Sequence, residues 1–159
     1  MKRVVNIYTD GSHLKHTTGR LGIGGILVIG GQEVAKFSRE ISTDFLKKNF
    51  GTTDVSNPTC EMLAALFALK IFKDKLQSTD EVHMKADYLG VQAWNLGLWR
   101  IKAPYIQKIK DAIDKEIQDQ GLQGRIFFNW VKGHQKSILD PDALWNSKVD
   151  LLAKTGSYE

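Results

Sequence analysis

Three segments rich in β-branched and aromatic residues dominate the first forty positions and predict three β-strands. Residues 4–9 form the first segment, which ends at the turn-forming run Asp10-Gly11-Ser12. Residues 21–29 and 33–39 flank the pair Gly30-Gly31. Two consecutive glycines supply the positive φ angles that a tight hairpin turn requires, so the second and third strands are predicted to pair antiparallel.

Helical and strand patterns alternate along the rest of the chain. A helix is predicted from Asn57-Pro58, with Asn57 as its cap, because apolar residues recur at helical spacing from Met62 to Phe72. Residues 41–57 and 135–141 are predicted to be long loops. The other predicted elements are a strand at 81–86, a short helix at 91–96, a helix from Pro104 that stops at Gly121, a strand at 125–131 and a helix from 142 or 143 to 154.

This order of elements predicts an α/β fold. A hairpin followed by β-α-β units favours one mixed sheet with helices packed on it. With 159 residues the chain suits one compact unit, so we expect a single domain over residues 1–159.

Composition narrows the class of protein without identifying it. The 42% hydrophobic and 25% charged residues are typical of a soluble globular protein. The single cysteine, Cys60, excludes an intrachain disulfide and fits a reducing compartment. The chain shows no secretory signal and no apolar run long enough to span a membrane, so we expect a cytoplasmic protein. The net charge of +4 comes from the first fifty residues, which is compatible with nucleic-acid binding and also with ordinary surface lysines.

Four acidic residues lie at positions where acids are unusual. Asp10 and Asp87 follow predicted strands, whereas Glu61 and Asp150 lie within apolar stretches of predicted helices. Three of them have an ordinary explanation: a turn for Asp10, the helix dipole for Glu61 and a solvent-facing position for Asp150. If the four converge, two unit charges roughly 4 Å apart repel by about 4 kcal/mol at an effective dielectric of 20, so a bound cation is needed. All-oxygen ligands favour magnesium or manganese.

A set of ordered motifs resembles type 1 ribonuclease H. The motifs run over nearly the whole chain and are Thr9-Asp10-Gly11-Ser12, Asn57-Pro58-Thr59-Cys60-Glu61-Met62-Leu63-Ala64, Ala86-Asp87, Trp130-Val131-Lys132-Gly133-His134 and Asn146-x-x-x-Asp150-x-Leu152-Ala153. The resemblance implies a mixed five-stranded sheet, with the first three strands antiparallel, flanked by helices. That fold agrees with the element order predicted above.

The resemblance also implies an activity. A protein of this family would be an endonuclease that hydrolyses the RNA strand of an RNA–DNA hybrid and leaves 5′-phosphate and 3′-hydroxyl ends. By position, Asp10, Glu61, Asp87 and Asp150 would hold two Mg²⁺ ions, with Mn²⁺ as a substitute, and Asp10 would bridge them. His134 would assist proton transfer or product release. We expect a monomer without an obligate protein partner.

Substrate contacts follow from the same resemblance. Asn57 would read the ribose 2′-hydroxyl, which separates RNA from DNA, although a helix cap explains it equally well. Asn146 would orient a ligand or reach the scissile region, and the alternative is an exposed helical asparagine. His134 has the alternative of an exposed loop histidine. The remaining candidate contacts to the substrate are Gly11, Ser12, His13 and Ser56.

The sequence departs from the family in places. Tyr88 follows the third acid, where a small polar residue is usual, and the segment 94–104 is short, with Arg100 and Lys102 as its basic residues. We therefore expect a weaker grip on the hybrid, or one supplied by Lys47 and Lys48. Two other functions remain open: another nuclease of the same fold, such as a junction resolvase or exonuclease, or a nucleic-acid-binding module without catalysis.

Overall fold

A five-stranded mixed sheet forms the centre of the molecule. The computed structural model describes residues 2–14, 20–133 and 140–155. The strands are β1 (Val4–His13), β2 (Arg20–Ile29), β3 (Gln32–Ser42), β4 (Glu81–Ala86) and β5 (Ile126–Trp130). Their order across the sheet is β3-β2-β1-β4-β5, with β1, β2 and β3 antiparallel and β4 and β5 parallel to β1. The predicted mixed sheet is confirmed.

Five α-helices surround the sheet in the described part of the chain. They are α1 (Thr43–Phe50), α2 (Asn57–Phe72), α3 (Leu89–Asn95), α4 (Pro104–Asp119) and α5 (Pro141–Thr155), and a short 3₁₀ turn at Lys73–Lys75 follows α2. Among the described residues, no helix has both the length and the apolar character needed to cross a bilayer.

Two apolar cores cover the two faces of the sheet. Neighbouring residues of β1 belong to different cores, because successive side chains of a strand point to opposite faces. Ile7 belongs to the larger core together with residues of α2 and α4, and Tyr8 packs with Trp145 and Val149 of α5 in the smaller one. The helix α2 is buried on nearly every side, so it reads as continuously apolar rather than amphipathic.

Glycines of β2 allow α5 to lie directly on the sheet. A Cβ at Gly22 would stand 1.9 Å from the carbonyl oxygen of Ala153, and one at Gly24 would stand 2.8 Å from Cβ of Leu152. Any larger residue would push the helix outward. Ser38 of β3 adds a hydrogen bond of 2.5 Å to the carbonyl oxygen of Leu152. This close packing fixes the height of Asp150 above the sheet.

The predicted loop at 41–57 is wrong over part of its length, because α1 occupies residues Thr43–Phe50. The Ser42 side chain caps this helix by accepting a hydrogen bond of 3.3 Å from the Phe45 backbone N–H. Gly51 ends the helix in the left-handed conformation, at φ 70°. The helix buries Leu46 completely, and that tertiary contact stabilises a segment too short to be stable alone.

The hairpin turn agrees with the prediction, whereas the starts of two helices differ from it. The hairpin turn is confirmed, with φ of 61° at Gly30 and 78° at Gly31. The prediction that Asn57 caps α2 is wrong: Ser56 holds the cap position and Asn57 is the first helical residue. The last helix begins at Pro141, one or two residues before the predicted start at 142 or 143. Most of the predicted loop at 135–141 lies outside the described residues.

Candidate active site

Three carboxylates meet in an open cavity of about 650 Å³ at the end of the sheet where the pairing of β1 with β4 stops. Asp10, Glu61 and Asp87 each offer an oxygen, and these oxygens all lie within 4.8 Å of one another. Asp10 is 3% exposed and Glu61 is 6% exposed, so water screens their charges poorly. Buried acids at this separation without a compensating charge are costly to the folded state.

The parallel pairing of β1 and β4 brings two of these acids together. That pairing ends at Thr9 and Ala86, so Asp10 and Asp87 are the next residues of neighbouring strands. The prediction that β1 ends at Asp10 is wrong, because the strand continues to His13 by pairing with β2. The antiparallel extension holds the Asp10 backbone rigid opposite Gly24.

Glu61 reaches the site because α2 passes unusually close to β1. A Cβ at Gly11 would stand 2.3 Å from the backbone carbon of Cys60, so this contact requires glycine. The Gly11 backbone N–H donates a hydrogen bond of 3.0 Å to Oε1 of Glu61. One glycine therefore permits the approach of the helix and also orients the carboxylate it delivers.

Asp150 lines the same cavity from α5 but differs from the other three acids. Its side chain is 30% exposed, and its Oδ2 forms an ion pair of 2.9 Å with Nζ of Lys154. It is not a member of the close trio formed by Asp10, Glu61 and Asp87. The four predicted acids thus share one cavity, with three in mutual contact range and the fourth paired to a lysine.

Burial and mutual repulsion raise the pKa values of the two most buried acids. The pKa of Asp10 rises to about 8, because burial, the charge of Asp87 and a hydrogen bond with Asp150 all disfavour its ionised form. Burial and the charges of Asp10 and Asp87 raise the pKa of Glu61 well above its usual value. A divalent cation bound among these oxygens would remove the repulsion, and an all-oxygen donor set suits Mg²⁺ or Mn²⁺.

Asp87 is held by residues from two other elements. Nδ2 of Asn146 lies 3.4 Å from Oδ2 of Asp87, and Nε1 of Trp130 donates a hydrogen bond of 3.0 Å to the Asp87 carbonyl oxygen. A Cβ at Gly133 would stand 3.0 Å from Oδ2 of Asp87. Asn146 is 4% exposed, and its Oδ1 has no hydrogen-bond partner within the described part of the chain. The exposed helical position considered for Asn146 is therefore wrong.

The remaining predicted site residues, apart from Asn146, divide into three groups. Gly11, Ser12, His13 and Asn57 line the cavity. Ser56 does not line it, and its hydroxyl donates a hydrogen bond of 2.5 Å to Oδ2 of Asp54. His134 lies outside the described residues.

Three residues that the sequence analysis did not place in the site also line the cavity: Tyr88, Gly133 and Lys154. The spacing of Lys154, four residues after Asp150 on one helix, was a usable signal, because such pairs face each other. Tyr88 directly follows Asp87, and its ring packs over Gly90, where a Cβ would come within 2.2 Å of the ring. For Tyr88, the usable signal in the sequence was its position directly after an acid at the end of a predicted strand.

Comparison with known proteins agrees with this geometry. The RNase H family profile matches residues 2–158. A curated relative, Ribonuclease H of Bartonella quintana (strain Toulouse), is 30% identical over 165 residues, covering 99% of this chain and 92% of the relative.

Solved structures share the fold at lower identity. RNase H1 from the halophilic archaeon Halobacterium salinarum NRC-1 superposes with a TM-score of 0.70 at 19% identity, covering 96% of each chain. LC11-RNase H1, solved in complex with an RNA/DNA hybrid, gives a TM-score of 0.71 at 20% identity, covering 96% of this chain and 95% of that one. The profile match over almost every residue, together with the full-length relative, shows that this chain belongs to the RNase H family.

Proposed function

We propose that this protein is a metal-dependent endonuclease that hydrolyses the RNA strand of RNA–DNA hybrids and leaves 5′-phosphate and 3′-hydroxyl ends. One observation carries the proposal: Asp10, Glu61 and Asp87 converge in an open cavity where no cation of the described chain pairs with them. The family match and the hybrid complex of LC11-RNase H1 support the choice of substrate.

The donor set fits two Mg²⁺ ions, with Mn²⁺ as a substitute. Asp10, Glu61, Asp87 and Asp150 are the residues that would hold them. Bound ions of this kind lower the pKa of an attacking water and stabilise the charge that develops on the phosphorus and the leaving oxygen. We assign the shared ligand to Asp10, because its carboxylate interacts with those of Glu61, Asp87 and Asp150 together.

Neighbouring groups keep these ligands in place. The Gly11 N–H fixes one oxygen of Glu61, and the Asn146 amide lies against Asp87. Partners of this kind orient metal ligands, and their loss typically costs about 10- to 100-fold in metal affinity or activity. We therefore assign Asn146 a positioning role rather than direct contact with substrate.

Recognition of the RNA strand is assigned to the cavity wall around the first turn of α2. Asn57 lines the cavity beside the acids, where its amide would meet the ribose 2′-hydroxyl. Gly11, Ser12 and His13 line the same cavity and would contact the same strand. Contact of Ser56 with a phosphate stays a prediction, and it requires the Ser56 hydroxyl to leave Asp54. The role of His134 in proton transfer or product release also stays a prediction.

We propose further that the protein acts as a monomer in the cytoplasm. A junction resolvase or exonuclease is the alternative within the same fold, and the match to the RNase H profile disfavours it. A binding module without catalysis is disfavoured because all four acids line one cavity.

The test is a strand-mapping digest. A hybrid carrying different labels on the RNA and DNA strands is incubated with Mg²⁺, with Mn²⁺ and with chelator, beside duplex DNA, duplex RNA and a four-way junction. We expect internal cuts in the hybrid's RNA strand, only with metal, and products that a ligase accepts at their 5′-phosphates. Preferential cutting of the junction or of DNA, or cleavage that survives chelation, would overturn the proposal.

A further inference from the structure

Lys154 occupies the last turn of α5 with its side chain at the acidic cavity. It is the one lysine or arginine among the described residues that line this cavity. Its Nζ lies 2.9 Å from Oδ2 of Asp150, one helical turn earlier. The pair is exposed, with 58% of the Lys154 side chain and 30% of the Asp150 side chain accessible to water.

Asp150 is shared between two partners: its carboxylate interacts with Asp10, and its Oδ2 is paired with Lys154. Asp10, Glu61 and Asp87 have oxygens within 4.8 Å of one another, and Asp150 is not part of that group. An oxygen that accepts from an ammonium group offers less of its charge to a second cation, because both bind the same lone pairs. A divalent ion that recruits Asp150 must therefore displace Lys154 or share its oxygen.

We propose that Lys154 competes with a divalent cation for Asp150 and thereby sets the cation concentration at which this fourth carboxylate joins the site. The inference rests on the proposed metal-dependent function. The close trio would bind a cation first, and the carboxylate of Asp150 would become available to it only when the cation concentration suffices to break the ion pair with Lys154. Removing Lys154 should therefore tighten cation binding, the opposite of what removing a supporting residue does.

A second explanation must be separated from this one. The positive charge of Lys154 could repel a cation at a distance, without any role for Asp150. Replacement of Asp150 by asparagine distinguishes the two. Competition predicts that the effect of Lys154 disappears without the Asp150 carboxylate, whereas long-range repulsion predicts that the effect persists.

The experiment measures binding of Mg²⁺ and Mn²⁺ to the metal-free protein by calorimetry, without substrate. Exposed pairs are weak, so we expect K154M to lower the apparent dissociation constant by about two- to fivefold. K154R should bind like the wild type. K148M is the matched control, since Lys148 lies on the same helix, 4.7 Å above the Trp145 ring, and its removal deletes one charge without touching Asp150. In a D150N background, K154M should change nothing.

Three results overturn the inference. They are unchanged or weaker cation binding in K154M, the same tightening in K148M, or a tightening in K154M that survives in D150N. If the wild type binds neither cation, the proposed function fails together with this inference. If the wild type binds cations and K154M does not differ from it, only the inference fails.

Discussion

The acids at the two ends of β4 have opposite electrostatic surroundings. Asp80 precedes the strand and is 0% exposed, and Asp87 follows it and lies among the acids of the cavity. Asp80 accepts hydrogen bonds from Arg3 at 2.9 and 2.8 Å and from the Gln77 N–H at 2.7 Å. Burial alone would raise the pKa of Asp80, but these donors hold it below its usual value.

The comparison separates a structural acid from a functional one. At the Asp80 end, the guanidinium group of Arg3 neutralises the carboxylate, and this ion pair links the N-terminal residues to β4. At the Asp87 end, the trio lacks such a partner in the described chain, and the pKa of Asp10 rises to about 8. The folded state is stabilised at one end of the strand and destabilised at the other, and a divalent cation would offset that second cost.

The largest expected effect is the loss of cleavage in Asp10→Asn. If metal ions supply several kcal/mol of transition-state stabilisation, losing the shared ligand should slow hybrid cleavage by at least about a thousandfold. The same change should leave the metal-free fold intact or slightly more stable, because it removes one repelling charge. Single-turnover cleavage and urea denaturation of the same preparation measure the two quantities. Normal cleavage by this variant would show that the site is wrongly assigned.

At the opposite end of the strand, Arg3→Met should cost stability and spare catalysis. Arg3 is partly exposed, and the Gln77 N–H and the charge of Arg125 still favour the ionised form of Asp80 when Arg3 is removed, so we expect a loss of about 1–2 kcal/mol. Cleavage per folded molecule should stay at the wild-type rate.

The matched control for Arg3→Met is Lys2→Met. It breaks an exposed pair of 2.8 Å with Glu81 and should cost at most about 0.5 kcal/mol. Equal losses in the two variants, measured by urea denaturation, would contradict the structural role of the Arg3–Asp80 pair.

Local patterns in the sequence predicted the parts of the site that local structure determines. Asp10 and Asp87 stand where strand patterns stop, and parallel neighbours then place them side by side. The sheet followed from the hairpin glycines and the alternation of helices with strands. The helix α1 was missed because it has only eight residues, although Ser42 and Gly51 mark its two ends.

Contacts between distant elements could not be predicted in the same way. The hydrogen bond from Gly11 to Glu61 depends on how closely α2 crosses β1, and the Asn146–Asp87 contact depends on the position of α5 over the sheet. Residues such as Gly22 set those distances by lacking a side chain. A glycine in a strand signals close approach, but it does not identify which element approaches.

A divalent cation should stabilise the wild type but not Asp10→Asn, which lacks the ligand assigned to both ions. At ten times its dissociation constant, a ligand that binds only the folded state adds about 1.4 kcal/mol. For a chain of this size that corresponds to a rise in melting temperature of about 3–6 °C. Thermal unfolding in Mg²⁺ and in chelator measures this rise in melting temperature.

Two variants sharpen the magnesium experiment. Arg3→Met should gain as much from Mg²⁺ as the wild type, because its defect lies at the other end of β4. Asp10→Asn should gain little. An equal gain in Asp10→Asn would assign the stabilisation to general ion effects rather than to the acidic cavity.

The last expected effect is a difference in how stability depends on pH. Because the pKa of Asp10 is about 8 in the folded protein and near 3.8 in the unfolded chain, the folded state binds the extra proton between these values. Metal-free stability should therefore rise as pH falls from 8 toward 5, with a slope for one proton of at most about 1.4 kcal/mol per pH unit. Asp80 acts in the opposite direction and only in acid, since its lowered pKa adds stability that is lost as pH falls below about 4.

Urea denaturation in chelator at pH 5 to 8 measures this dependence. The urea midpoint of the wild type should rise as pH falls, and that of Asp10→Asn should rise less steeply. Parallel lines for the two proteins would mean that Asp10 is already ionised in the folded state, and the repulsion attributed to the cavity would be absent.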